Sequence, residues 1–320
     1  MSDCEDSMKK IGNGHATGKI ILIGEHSVVY GKKAIAFPFA GVGIHTLVQA
    51  NPTVHIQSKY FNGTLDEMKQ VTSMHNLVSL IEVLKKDLEL PNFCLNIKST
   101  IPAERGMGSS AAVAVSIIRA IFDWQALPLD EKKLLKYVDY SEQIAHDNPS
   151  GIDAAATSGT QPILFEKGHR FEAFPLNVDA YLLVADTGIK GQTRQAVKDV
   201  ATLVNQKGQS VQAIIDQLGD LTLEAKTAII QNQAKRLGQI MTASHHLLQK
   251  LTVSNQTLDE AVEIALDNHA LGAKLTGGGR GGCLIVLAKD LQSAKQIQEK
   301  LISYGMKRTW LQGLGVYQNV

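Results

Sequence analysis

The stretch "PAERGMGSSAAVAV", Pro102 to Val115, restricts this chain more than any other. It places Gly106, Gly108, Ser109 and Ser110 directly before an apolar helical run, and the strand-like "FCLNIKS" (93–99) leads into it. Glycine reaches positive φ at little cost and lets the backbone approach a ligand closely. A helix N-terminus offers unpaired N–H groups and the positive end of a dipole, which together hold an anion. Serine at a helix start is equally an ordinary N-cap, and glycine before it is ordinary loop chemistry. Taken alone, the stretch fits both readings.

The turn is neither GxxxxGK[ST] nor GxGxxG, so it is no P-loop, and a dinucleotide fold is disfavoured. A net charge of +1 argues against bulk electrostatic binding to nucleic acid. Cys4, Cys94 and Cys283 lie far apart without CxxC spacing, which suits a reducing compartment without disulfides or a zinc cage. No segment reaches the roughly 18 to 20 apolar residues of a membrane span. The opening "MSDCEDSMKK" lacks the apolar core of a signal peptide. A cytoplasmic protein without membrane or nucleic-acid partners is expected.

Periodicity predicts an α+β chain. Strands are expected at "KIILIG" (19–24), "HTLVQA" and "TVHIQS" paired across Asn51-Pro52, "FCLNIKS" and "AYLLVAD" (180–186). Helices are expected over 65–90, 109–124, 129–146, 192–206, 209–217, 222–250, 256–268 and 289–303, with a closing strand pair "MKRTWLQ" and "GLGVYQN". The loop-like 166–180 segment is the natural boundary, giving domains 1–178 and 179–320.

Two further glycine-bearing segments, "GKIILIGEHSVVYG" (18–31) and "KLTGGGRGGCLIVL" (274–287), flank the central turn in the chain. A fourth, "YSEQIAHDNPSGIDAAAT" (140–157), carries Glu142 at a helix end and Asp153 after the turn residues Asn148, Pro149 and Gly151. A carboxylate at such a turn suits acid/base or metal chemistry, yet by itself Asp153 reads as the cap of the helix beginning "AAAT". Lys19 alone reads as a solvated charge beside a strand, and His26 as a core or turn histidine. His245-His246, adjacent on a helix, do not face together and read as surface or core rather than metal ligands. Cys283 reads as buried packing.

In this order the four segments resemble the GHMP kinase superfamily. "GMGSSAA" is similar to its phosphate-binding motif, and "KLTGGGRGGCLIVL" to its third, glycine-rich motif. "GEHSVVYGKK" and "HDNPSGIDAAAT" are most similar to the branch that phosphorylates mevalonate. Glu104-Arg105 and Met107 depart from the usual motif residues without removing a glycine, hydroxyl or charge that the chemistry needs. Arg105 is expected to be an exposed loop residue.

The resemblance implies a two-domain GHMP kinase fold, N-terminally similar to ribosomal protein S5 domain 2 and C-terminally ferredoxin-like. It implies ATP and mevalonate as substrates and Mg²⁺ as cofactor, and a homodimer is compatible with it. ATP would be held by Pro102, Glu104, Arg105, Gly106, Met107, Gly108, Ser109, Ser110 and Ala111. Ser110, or its neighbour Ser109, would ligate Mg²⁺ with Glu142, whose hard oxygen donors suit that ion. Asp153 would accept or orient the proton of the substrate hydroxyl, with Lys19 as its electrostatic partner. Glu25, His26 and Thr193 would contact mevalonate. Two alternatives remain open: a GHMP kinase for another small alcohol, and a non-catalytic ligand-binding member.

Overall fold

The computed structural model describes residues 10–102, 105–145 and 151–318. Glu104 and residues 146–150, Asn148 and Pro149 among them, lie outside the described residues, as does Cys4. The chain divides into two compact units, one of residues 1–18, 42–102 and 108–158, the other of 19–41, 103–107 and 159–320. Two long strands, β1 (Gly12–Ile23) and β2 (Ala34–Ala50), contribute residues to both.

In the first unit follow β3 (His55–Ser58), β4 (Asn62–Thr64), α1 (Leu65–Met68), α2 (His75–Asp87), β5 (Phe93–Ser99), α3 (Ser109–Gln125), α4 (Glu131–Ala145) and α5 (Ile152–Ser158). The sheet order is β4-β3-β5-β2. The expected hairpin between 45–50 and 53–58 does not form. Asn51 N–H donates to Asn92 O, so the chain leaving β2 passes the start of β5, which then lies between β2 and β3. β5 runs antiparallel to β2 and parallel to β3.

Alternation on β5 turns Phe93, Leu95 and Ile97 inward, and Phe93 meets Trp124 of α3 edge-on at 5.8 Å. α3 is buried on nearly every side, which its run of alanines, valine and isoleucines permits. Arg119 on α3 donates to His15 O and Ser158 O, each at 2.7 Å, and so ties the end of α5 to α3. The single helix expected over 65–90 is broken. A capping box between Thr64 and Glu67 starts one short turn, and Val71-Thr72-Ser73, poor helix formers, interrupt before α2. That break puts Asn76 in the first turn of α2.

The second unit adds β6 (Ile163–Phe165), β7 (Glu172–Ala173), β8 (Tyr181–Asp186), α6 (Thr193–Lys207), α7 (Gln209–Ile230), α8 (Ala234–Lys250), α9 (Gln256–Asp267), β9 (Gly272–Thr276), β10 (Cys283–Ala288), α10 (Leu291–Tyr304) and β11 (Arg308–Gly313). Residues 34–36 of β2 pair with β6, and β6 with β7. An antiparallel sheet runs β11-β8-β10-β9. β8, β9 and β10 are buried along their whole length, β8 and β10 as largely apolar runs and β9 with Lys274 enclosed, and Leu248, Leu258, Val262, Ile297 and Leu301 of the helices share their core.

Two expectations fail here. The helix break falls at Gln231–Gln233, where Asn232 has φ 54°, and not near Gly219. Gly219 stays helical because its bare Cα receives the Lys32 stem; an added Cβ would stand 2.9 Å from Lys32 Cδ. "GLGVYQN" is no strand, since Gly315 turns the chain and Tyr317 stacks on Tyr181 at 5.0 Å. Among the described residues no helix is long and apolar enough to cross a membrane.

Candidate active site

The described residues 105–108 turn into α3. Gly106 has φ 74°, and Gly108, at φ 70°, is the N-cap of α3. The N-cap reading of the serines is therefore corrected: Ser109 and Ser110 occupy the first two helical positions, half-buried, with their N–H groups in the unpaired first turn. Pro102, Met107 and Ala111 are buried beneath the turn, while Gly106 is exposed.

Within the first unit Ser110 Oγ donates to Glu142 Oε1 at 2.6 Å, joining α3 to α4. Glu142 is only 5% exposed. Asn76 Nδ2 donates to Ser110 Oγ at 3.4 Å and to Ser141 Oγ at 3.3 Å. Sequence reasoning missed Asn76, a buried polar residue amid the helix-forming 65–90 segment; its only signal was an amide among apolar neighbours. Asp153 lies inside the first turn of α5, half-buried, with its backbone carbonyl accepting from Thr157 Oγ1 at 2.8 Å. It is thus a first-turn residue rather than the cap of that helix.

In the second unit Lys19 is 4% exposed, which overturns the solvated reading, and its N–H donates to Met107 O at 3.0 Å. The third glycine-rich motif folds against Arg105 and Gly106. A Cβ on Gly106 would reach Gly277 Cα at 3.8 Å, and one on Gly282 would reach Arg105 O at 3.6 Å. Arg105 is not an exposed loop residue. Its Nε donates to the fully buried Asp186 at 2.9 Å and its Nη2 to Gly188 O at 3.0 Å.

His26, at φ 61°, is 5% exposed, and its Nε2 stands 3.1 Å from Gly278 O. A carbonyl only accepts, so Nε2 carries the proton. Burial then pulls the imidazole pKa down to about 4, and the neutral ring presents Nδ1 as an acceptor. Beside it, Glu25 Oε1 accepts from the completely buried Lys274 ammonium. Neither Lys274 nor this pairing was foreseen. Thr193 starts α6 against Gly278, where an added Cβ would collide with Thr193 Oγ1 at 2.1 Å. Arg105, Gly106, Lys190, Thr193, Arg194 and the glycines at 278, 279, 281 and 282 line one open cavity of about 620 Å³.

His245 is buried, with Nδ1 accepting from Leu275 N–H at 3.3 Å and Nε2 3.2 Å from Asp259 Oδ1, while His246 is exposed. No group of three or more metal-ligating side chains forms among the described residues. Cys283 is buried in β10 and its thiol pKa is pushed up by that burial.

The N-terminal domain model of the GHMP kinases matches residues 75–160 and their C-terminal model residues 225–307. A mevalonate kinase of Thermococcus sibiricus is 33% identical over 87% of this chain and 89% of its own. The crystal structure of mevalonate kinase from methicillin-resistant Staphylococcus aureus MRSA252 is 34% identical, with a TM-score of 0.72 over 96% of this chain and 99% of that one. L. major mevalonate kinase in complex with R-mevalonate is 26% identical and superposes with a TM-score of 0.82 over 96% and 97%. With both domain models matched in order and relatives aligned over most of its length, the chain belongs to the GHMP kinase family.

Proposed function

We propose that this enzyme transfers the γ-phosphoryl group of ATP to the primary hydroxyl of mevalonate, giving 5-phosphomevalonate and ADP. The observation that carries the reading is the Ser110–Glu142 contact at the N-terminus of α3, in a chain whose relatives are mevalonate kinases. Phosphoryl transfer asks a protein for position and charge neutralisation. The N–H groups of the 106–110 turn cradle the β- and γ-phosphates at the positive end of α3.

The hydroxyl of Ser110 and the carboxylate of Glu142 form an all-oxygen donor pair, which fits Mg²⁺. These two residues would hold the ion, and bound there it would neutralise phosphate charge. An enclosed slot of about 100 Å³ opens beside Ser109, lined by Ile56, Tyr60, Met68, Leu77 and Val113. Its apolar walls suit a flat nucleobase.

The substrate oxygen attacks the γ-phosphorus, the bond to the β-bridging oxygen breaks with ADP leaving, and Asp153 Oδ takes the hydroxyl proton. Lys19 supplies positive charge as the phosphoryl group moves. His26 Nδ1 accepts a hydrogen bond from the substrate, and Thr193 with Lys190 and Arg194 offers hydroxyl and cationic groups to its carboxylate end. ADP release measured with mevalonate and with a panel of other small alcohols tests this; equal rates with and without mevalonate would refute it.

A further inference from the structure

Lys274 and Glu25 stand 249 positions apart in the chain, yet both side chains are sealed from solvent and paired. The Lys274 ammonium also donates to Leu275 O at 2.7 Å. Glu25 Oε2 has no hydrogen-bond partner among the described residues. A buried ion pair is poor value as a stabiliser, because desolvating both charges offsets most of their attraction, and apolar residues of similar size often serve as well. What it does supply is one admissible register between the segments it joins.

Those segments are the two that hold the imidazole. Glu25 precedes His26, which has a φ of 61° and starts the short turn over Ser27–Tyr30. Lys274 leads through β9 to Gly278, whose carbonyl accepts from His26 Nε2. Thr276 Oγ1, between them, donates to Ile21 O at 2.8 Å. The ion pair and the His26–Gly278 bond thus lie side by side, one on each neighbour of the same peptide junction.

We propose that Lys274 and Glu25 are positioning residues for mevalonate recognition: their ion pair registers the third glycine-rich motif against the 24–26 turn, so that Gly278 O fixes the tautomer and aim of His26. Glu25, which the resemblance makes a mevalonate contact, is sealed from solvent like Lys274, so in this reading neither side chain touches substrate. The inference rests on mevalonate phosphorylation as the activity, so wild-type protein is assayed first for mevalonate-dependent ADP release. Silence there refutes the activity and overturns with it a role in mevalonate recognition, before any variant is made.

Given that activity, the informative variant is the paired replacement Glu25→Leu with Lys274→Met, which removes both charges at similar volume. Its melting temperature stays near wild type, its KM for ATP is unchanged, and its KM for mevalonate rises about tenfold or more, since small misplacements of a contact are amplified in this way. Adding His26→Ala to the paired variant costs less than in wild type, because the residues act through one contact. A wild-type mevalonate KM, or an equal rise in both KM values, would overturn the proposal. If the paired variant does not fold, Glu25→Asp decides: it keeps the charge and withdraws it by one methylene. It raises the mevalonate KM alone if the pair positions His26, and leaves both KM values unchanged, or raises both, if it does not.

Discussion

Ser110 Oγ lies 2.6 Å from Glu142 Oε1, a bond that joins the first turn of α3 to the last turns of α4 and is backed by the Asn76 amide. Two hard oxygen donors are therefore adjacent, held by two helices that pack in one unit. Ser110→Ala and Glu142→Gln should each raise the Mg²⁺ concentration needed for half-maximal rate and lower kcat. Activity titrated with Mg²⁺ checks this, and wild-type curves for both variants would reject the ligand assignment. Asn76→Ala should produce a milder version of the same shift.

Asp153→Asn separates catalysis from helix stabilisation. Asp153 sits within the first turn of α5, where a carboxylate contributes about 0.3–1 kcal/mol through the helix dipole. Loss of a general base costs about 10²- to 10⁴-fold in rate. A kcat reduced by that factor, with a small change in melting temperature and an unchanged KM for ATP, is the expected outcome. Near-normal turnover would leave Asp153 a structural residue.

Arg105 belongs to the ATP turn by motif and to Asp186 by geometry. Removing it leaves a fully buried carboxylate whose remaining counter-ion among the described residues is Arg308 Nη2, 3.7 Å away. Breaking a buried pair from one side typically costs about 3–5 kcal/mol. Arg105→Met should therefore lower stability by about that amount in chemical denaturation. Combining it with Asp186→Leu should restore most of it.

Stability should fall on the acid side through two buried imidazoles. Burial lowers the folded pKa of His26 to about 4 and holds that of His245 well below its ordinary 6.5. The unfolded chain takes up these protons near pH 6.5 while the folded one does not, so unfolding is favoured as pH drops. Their contribution is complete above about pH 6.5 and is lost between there and about pH 4, with a slope approaching 2.7 kcal/mol per pH unit for two protons. Denaturation at a series of pH values measures it. His26→Gln and His245→Gln should each remove about one proton from the slope, and an unchanged slope would contradict the burial argument.

Local requirements were legible in the sequence by itself. The glycines at 106 and 108 announced positive φ, the apolar run after them announced a buried helix, and Ser110 with Glu142 matched a family pattern. The strands at 93–99 and 181–186 followed from alternation and from an unbroken apolar run. Each of these is a property of neighbouring residues, which one stretch of chain carries whole.

Tertiary structure alone decided the partners of the charges. Arg105 in a loop and Lys19 beside a strand each look solvated in sequence, and Lys274 carries no local sign of its burial, because a buried charge is admissible only with a counter-charge or acceptors at hand. The counter-charges of Lys274 and Arg105 lie 249 and 81 positions away. Gly219 shows the same limit: its chain neighbours suggest a helix break, and only the Lys32 stem packed over it explains why the helix runs on. Backbone conformation is set by local sterics and can be read residue by residue, whereas the ionic contacts depend on which distant segments the packing brings together.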